Sequence, residues 1–324
     1  MVCYFPITGY QSQPGAPLVF GGIAVNADKT PIKVPCGRCE GCNERYARDW
    51  AIRMMHEASL YKHNCFITLT YNNENLPPDR SLHYEHFQEF MKRFREAHQG
   101  CDLVSHPYFG KIDKKTGKPY PEFYRPIRHY VAGEYGGKLG RPHWHACIFN
   151  FDFADKYIWE TSTSGEPLYR SPSLEQLWPF GYSSIGSVTF QSAAYVARYI
   201  NKKVKGNQAD DHYAWHDPET GEVFWRRPEF SKMSLKPGIG AGWLAKYKTD
   251  VFPHDHIISD GRPLPVPRYY SKIYQCTNPL EWDAVAHERY VKSRQTLDDN
   301  TPERLAVKRQ VHLAKLSRLK RTLK

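Results

Sequence analysis

Three groups of side chains in this chain have the types and spacing to do chemistry. In the stretch Arg128 to Asn150, RHYVAGEYGGKLGRPHWHACIFN, His143 and His145 stand two residues apart among aromatic and β-branched neighbours. Side chains alternate along a strand, so both imidazoles leave one face while Trp144 and Ile148 leave the other. If the chain closes on itself with Tyr135 opposite Pro142, Glu134 stands across from His143. One carboxylate and two imidazoles on one patch of sheet can hold a divalent cation. Tyr195 and Tyr199 form the second group: four residues apart on a helix, their phenols share a face, with Arg198, Lys202 and Lys203 around them. A phenol, with a pKa of about 10, needs nearby cations or a metal-polarised phosphate to attack at neutral pH. The third group is CGRCEGC, where Cys36, Cys39 and Cys42 have the spacing of a zinc knuckle. Cys3, His63 and Cys65 are the candidates for a fourth ligand, Cys3 first. A site of three or four cysteines leaves no evident catalytic water and would be structural.

The elements that must position these groups follow from periodicity. RHYVAGEY and PHWHACIF flank GGKLGR, whose three glycines favour a reversal, so they read as a β-hairpin. Residues 1–35 read as loop with a short strand at Leu18 to Val25. Asn43 to His63 reads as an amphipathic helix, Cys65 to Tyr71 as a strand and His83 to Ala97 as a helix with a phenylalanine face. Residues 99–126 read as an irregular insertion with a basic hairpin tip at GKIDKKTGKPY. FDFADKYIWETSTSGEPLYR reads as a polar excursion, SLEQLWPFG as a short helix, Gly181 to Phe190 as a strand and Gln191 to Lys205 as the tyrosine helix. HDPETGEVFWRR reads as a hairpin, KPGIGAGW as a glycine-rich loop without phosphate-binding context, and the chain from Trp282 onward as helical. This order builds an α+β fold of ferredoxin-like character, an antiparallel sheet with helices on its faces.

Composition sets the surroundings. Forty-five Lys plus Arg against 34 Asp plus Glu give a formal charge of +11, which suits a polyanionic partner. No run reaches the roughly 18–20 apolar residues of a membrane helix. The N-terminus lacks the pattern of a secretory signal, and eight cysteines are too few for a disulfide scaffold, so a soluble intracellular protein is expected. The last 24 residues carry eight Lys or Arg against one Glu, a basic helix suited to DNA or an acidic partner, or merely a solvated one.

Taken singly, each group has a plainer reading: tyrosines that bury their rings, histidines satisfied within a sheet, thiols at a helix start. Taken in order, FITLTY at Phe66 to Tyr71, PHWHACIF at Pro142 to Phe149 and AAYVARYINKK at Ala193 to Lys203 resemble the HUH endonucleases. The closer resemblance is to the replication initiators of small single-stranded DNA phages of the Microviridae, gokushovirus type. PCGRCEGCNERYARDWAIR, MSLKPGIGAGW and PRYYSKIY share it, so the likeness runs from about residue 3 to about residue 275.

The resemblance implies an HUH core of ferredoxin or RRM type in which His143, His145 and an acidic residue of the neighbouring strand, the place Glu134 fills, hold Mg²⁺ or Mn²⁺. Zn²⁺ also suits imidazole. Tyr195 or Tyr199, helped by Lys202 and Lys203, would attack an origin phosphodiester, leaving a 5′-phosphotyrosyl link and a free 3′-hydroxyl. The second tyrosine would cut the regenerated origin and release unit-length circles. The partners implied are single-stranded DNA and the origin, with host polymerase and helicase, in the host bacterial cytoplasm. The sequence has no GxxxxGK[ST] loop for a motor. The expected division is 1–62, a cysteine-rich segment and helix, with possible structural Zn²⁺ on Cys3, Cys36, Cys39 and Cys42; 63–206, the nicking core; and 207–324, an extension with a basic helical tail. Two other readings are a zinc-knuckle nucleic-acid-binding protein that cuts nothing, and a metal phosphodiesterase that uses water and leaves the tyrosines as bystanders.

Overall fold

Along Asn64–Tyr71 the side chains alternate half-buried and buried, the pattern of a strand with one face in a core and the other partly covered. A computed structural model of the chain describes residues 3–11, 17–20, 30–101, 103–105, 112, 117, 122–124, 126–137, 140–162, 165–199, 203–204, 206, 208–217 and 220–318. Its elements run β1 (Ile7–Gln11), β2 (Thr30–Val34), α1 (Glu40–Ala58), β3 (Asn64–Tyr71), α2 (Tyr84–Ala97), β4 (Leu103–Ser105), β5 (Glu122–Tyr124), β6 (Arg128–Tyr135), β7 (Pro142–Phe149), β8 (Tyr157–Thr161) and β9 (Pro167–Arg170). There follow α3 (Pro172–Leu177), β10 (Gly181–Gly186), α4 (Phe190–Arg198), α5 (Ala209–Tyr213), β11 (Ala214–His216), β12 (Val223–Trp225), β13 (Phe230–Met233), α6 (Ala241–Val251), β14 (His256–Ser259), β15 (Arg262–Pro265), α7 (Arg268–Thr277), α8 (Pro279–Arg294) and α9 (Pro302–Arg318). The described residues form two compact units: 3–48 with 271–318, and 49–270.

The second unit is an α+β arrangement around a seven-stranded sheet in the order β13-β6-β7-β3-β10-β9-β8, with every described pairing antiparallel. On one face, Ile67, Leu69, Tyr71, Val131, Trp144 and Ile148 close over Phe87, Phe90, Met91 and Phe94 of α2 and Leu174, Leu177 and Trp178 at α3. That is the expected phenylalanine face of α2. Burying apolar area at about 25 cal/mol per Å² makes this layer the main source of stability. On the other face, Trp50 of α1 packs its ring 4.8 Å from Tyr130 of β6, and α4 lies over β6 and β7.

Buried polar groups join α1 to this sheet and to the glycine-rich loop. Arg128 Nε donates to Glu57 Oε1 at 2.6 Å, the Gly240 amide donates to Glu57 Oε2 at 2.7 Å, and Arg128 Nη2 donates to the Pro237 carbonyl at 2.6 Å. Arg53 Nε reaches the Ile239 carbonyl at 3.0 Å. Gly240 has φ +80°, and a Cβ there would lie 2.3 Å from the Tyr270 hydroxyl, so KPGIGAGW is a packed joint that only glycine fits.

Several elements differ from the sequence expectation. α1 ends at Ala58 rather than His63, because Asn64 Nδ2 donates to the carbonyls of Ala58 and Tyr61 and satisfies that helix end. The polar excursion is the hairpin β8–β9, which extends the sheet at its edge. β13, from the segment assigned to the C-terminal extension, forms the other edge. At the N-terminus the strand pair is β1 with β2, and of the expected strand Leu18 to Val25 only a bridge from Val19 to Tyr10 falls in the described residues, since 21–25 lie outside them. Most of GKIDKKTGKPY and the last six residues of the tail also lie outside them.

Burial holds two histidines neutral in the second unit. Desolvation, with Arg95 and Arg128 adding to it, pushes His129 down to about 3, and burial pushes His56 down to about 4. The unfolded chain binds those protons below about pH 6.5 while the folded chain refuses them, so the stability present above that pH is lost as pH falls toward the folded values. The urea midpoint is therefore expected to be lower at pH 5 than at pH 7, with a shallower change in His129→Gln. Equal midpoints at the two pH values in the parent chain would contradict this.

Candidate active site

β6 and β7 pair in the register read from the sequence: Tyr135 opposite Pro142, Glu134 opposite His143 and Ala132 opposite His145. Hydrogen bonds between Gly136 and the Arg141 carbonyl and between Gly140 and the Gly136 carbonyl, both 2.9 Å, close the turn. Opposed residues of an antiparallel pair share a face, so Glu134, His143 and His145 project together, away from Trp144 and the α2 core.

The third strand of this patch supplies groups that the sequence reading did not single out. Thr70 lies opposite His143 and Thr68 opposite His145 on β3. Their hydroxyls hydrogen-bond Nδ1 of His143 at 2.8 Å and of His145 at 3.0 Å. A hydroxyl can accept from an Nδ1–H or donate to a bare Nδ1, so either tautomer is satisfied and each ring is held in orientation. The signal was present in FITLTY: its two threonines alternate in step with the histidines once β3 and β7 are paired.

Nε2 of His145 lies 2.9 Å from Glu134 Oε1, with both side chains buried. The His143 ring sits beside the hairpin turn, where a Cβ on Gly136 would come within 2.7 Å of its Nε2. The rings of His143 and His145 are 6.4 Å apart. Among the described residues these three donors do not gather as tightly as the cysteines do. The donor set nevertheless fits a divalent cation: a carboxylate and two imidazoles on one face, each imidazole backed by a hydroxyl on its far nitrogen.

α4 brings the tyrosines to this same face. It starts at a capping box, Thr189 accepting from the Ser192 amide and Ser192 from that of Thr189, and packs on β6 and β7. The Tyr199 ring stacks on His145 at 5.1 Å and 9°, the Tyr195 ring meets His145 edge-on at 5.5 Å, and the two phenol rings are 4.6 Å apart. Burial first, then the Glu134 charge, hold the Tyr199 phenol far above its ordinary range. Burial also raises Tyr195, with Glu134 adding to it and the hydrogen bond to Tyr199 opposing. Both phenols are therefore protonated at neutral pH.

The helix is shorter than read. It ends at Arg198, where the Tyr199 amide turns back to the Val196 carbonyl; of the stretch expected to continue to Lys205, residues 200–202 and 205 lie outside the described residues, and the Val204 amide donates to the Tyr213 hydroxyl, itself bound to Glu229. Arg198 is exposed, Lys203 half-buried beyond the helix, and Lys202 lies outside the described residues.

The remaining predicted group is in the other unit. Cys3, Cys36, Cys39 and Cys42 bring their sulfurs within 4.8 Å of one another, a cluster able to bind a structural metal such as zinc. Of the other candidates for the fourth ligand, Cys65 is buried in the sheet core and His63 is exposed. Among the described residues no helix is long and apolar enough to cross a membrane.

Comparison with known proteins matches residues 64–204 to the family described as Replication-associated protein ORF2. The chain is 34% identical over 285 residues to replication-associated protein VP4 of Bdellovibrio phage phiMH2K, covering 87% of this chain and 80% of the relative. It is 28% identical to replication-associated protein ORF4 of Chlamydia phage 1, across 74% of this chain and 53% of the relative. To replication-associated protein ORF2 of Spiroplasma virus 4 it is 27% identical, across 81% and 72%. No solved structure matches.

Proposed function

Because this chain belongs to the replication-associated proteins of small phages, we propose that it is a replication-initiation endonuclease of HUH type, cutting and rejoining single-stranded origin DNA through a tyrosine. The observation that carries this reading is the placement of Tyr195 and Tyr199 against His145 on the sheet face that His143 and Glu134 share.

In this proposal His143, His145 and Glu134 hold Mg²⁺ or Mn²⁺, and Thr68 and Thr70 orient the two imidazoles. The chemistry such a cation would supply there is Lewis-acid polarisation of the scissile phosphate, and its charge would oppose that of Glu134, which adds to burial in keeping the phenols protonated. One tyrosine oxygen bonds to phosphorus, the 3′-oxygen of the neighbouring nucleotide leaves and takes up a proton, and the protein keeps the 5′-phosphate. Joining is the reverse: a free 3′-hydroxyl attacks the phosphotyrosine and releases the phenol, so no nucleotide cofactor is consumed. Lys203 and Lys202, which follow α4 in the sequence, neutralise the phosphate. Two tyrosines allow one to hold the old end while the other opens the regenerated origin. The nicking core is residues 63–206, its surroundings the host bacterial cytoplasm, and unwinding and synthesis fall to host helicase and polymerase.

The test is direct: incubated with Mn²⁺ and single-stranded origin DNA, the protein should acquire a DNA adduct that survives denaturing detergent. If no such adduct forms, the proposal fails. Glu134→Ala should weaken Mn²⁺ binding by about tenfold or more, as calorimetry would read it. Unchanged affinity would remove Glu134 from the ligand set.

A further inference from the structure

The first unit holds a second chemistry, in residues that the nicking proposal does not use. Cys3 and Cys36, thirty-three positions apart, are brought together where β2 runs into α1, and the Cys36 amide donates to Cys3 Sγ at 3.2 Å. The Tyr4 amide donates to Cys39 Sγ at 3.4 Å, and the amides of Arg38 and Cys39 donate to Cys36 Sγ at 3.5 and 3.4 Å. A neutral thiol is a weak acceptor, whereas a thiolate is a strong one, so four backbone amides aimed at three sulfurs describe a site built for thiolates. Gly37, at φ +73°, turns the chain between the first two knuckle cysteines.

The spacing of the sulfurs is that of a metal site rather than a disulfide. All four cysteines are free, and Cys3 Sγ lies 3.9 Å from Cys39 Sγ. Four sulfurs at about 2.3 Å from a tetrahedral Zn²⁺ are about 3.8 Å apart along each edge. Soft thiolates select zinc over the hard cations suited to a carboxylate site, and four of them leave no open position for water. Such a complex carries a net charge of about −2. It lies at the N-terminal, positive end of α1, which begins at Glu40, so the helix dipole and the amides together stabilise that charge.

The residues between and beside the cysteines are the ones that α9 uses. Arg309 donates to both carboxylate oxygens of Glu40, at 2.7 and 3.2 Å, and its guanidinium lies 5.1 Å from the Phe5 ring. His312 Nδ1 is hydrogen-bonded to the Tyr4 hydroxyl at 2.7 Å, and its Nε2 lies 3.0 Å from Glu44. Tyr4 and Phe5 follow Cys3, Glu40 stands between Cys39 and Cys42, and Glu44 is two residues beyond Cys42. No ligand comes from α9, yet its contacts near its middle rest on side chains whose backbone the cysteines fix.

We infer that Cys3, Cys36, Cys39 and Cys42 close around one Zn²⁺, and that this metal fastens the basic helix α9 to the N-terminal end of the chain. Metal binding free energy is then also docking free energy for the helix.

The experiment uses the full chain and does not read DNA cleavage, so it stands or falls apart from the nicking proposal. Purified without chelators, the protein should contain one zinc per chain by elemental analysis, and exchange with Co²⁺ should give thiolate-to-metal absorption in the near ultraviolet. Stripping the wild-type protein should raise amide hydrogen exchange across Pro302–Arg318 by tenfold or more, reversed by Zn²⁺ and not by Mg²⁺. Cys3→Ser should weaken zinc binding and give the same loss of protection, while the chelation arm on the wild-type chain guards against a variant that fails to fold. Absence of zinc together with absence of the cobalt–thiolate band would overturn the site. Bound zinc whose removal leaves exchange in α9 unchanged would overturn the fastening.

Discussion

The double variant Tyr195→Phe, Tyr199→Phe is expected to form no covalent adduct with single-stranded origin DNA, where the parent chain forms one with Mn²⁺. Each change removes a hydroxyl and keeps a ring, so the 5.1 Å stacking of residue 199 on His145 and the 4.6 Å contact between the two rings survive. The core beneath α4 is unchanged, and urea unfolding should shift by less than about 1 kcal/mol. Adduct formation, in contrast, requires an oxygen to bond to phosphorus, and a nucleophile has no partial substitute within the same chemistry. Each single variant retains one phenol and should keep some adduct. Comparing the two shows which phenol acts first. Cleavage that persists in the double variant would mean that water attacks and the tyrosines only pack.

The largest expected effect on stability comes from Glu57→Ala. Glu57 and Arg128 have side chains only 3% and 7% exposed, and Glu57 also accepts from the Gly240 amide. Removing the carboxylate leaves a buried guanidinium unpaired and an amide unsatisfied, which costs about 3–5 kcal/mol. Against a total of about 5–15 kcal/mol, that loss should appear as a large drop in the urea midpoint. Replacing both partners, Glu57→Leu with Arg128→Met, should recover much of it, since a buried pair and an apolar pair of similar volume are often close in energy. A double variant no better than Glu57→Ala would show that the contacts to Gly240 and Pro237, rather than the ion pair, hold the joint.

The hairpin is legible because its parts constrain one another: a glycine-rich turn sets the register, alternation sets the face, and together they place Glu134 opposite His143 from the sequence alone. The shared face of Tyr195 and Tyr199 followed as simply from helical spacing. β8 was missed because all five of its side chains are exposed, so no alternation marks Tyr157–Thr161 as a strand. β13 is four residues long and half-buried, too short for periodicity to register. α4 was read too long because Lys202 and Lys203 favour a helix, while the competing partner for the backbone, the Tyr213 hydroxyl, lies on a later element. The Glu57–Arg128 pair joins residues 71 positions apart, and no local pattern announces such a contact.

The place of β13 in the sheet also bears on how little of this chain can be made and still work. The groups proposed for chemistry end at Lys203, but β6, which carries Glu134, has β13 as its outer neighbour, and the joint behind it closes only at Gly240, 183 positions from Glu57. During synthesis α4 therefore emerges before the strand that completes the sheet. Until Phe230–Met233 pairs, β6 offers a row of open amides and carbonyls to any other strand. A fragment cut just after Lys203 keeps Glu134, both histidines and both tyrosines and loses the closure of the sheet, so the smallest unit that folds is set by the last strand and the glycine joint rather than by the catalytic groups.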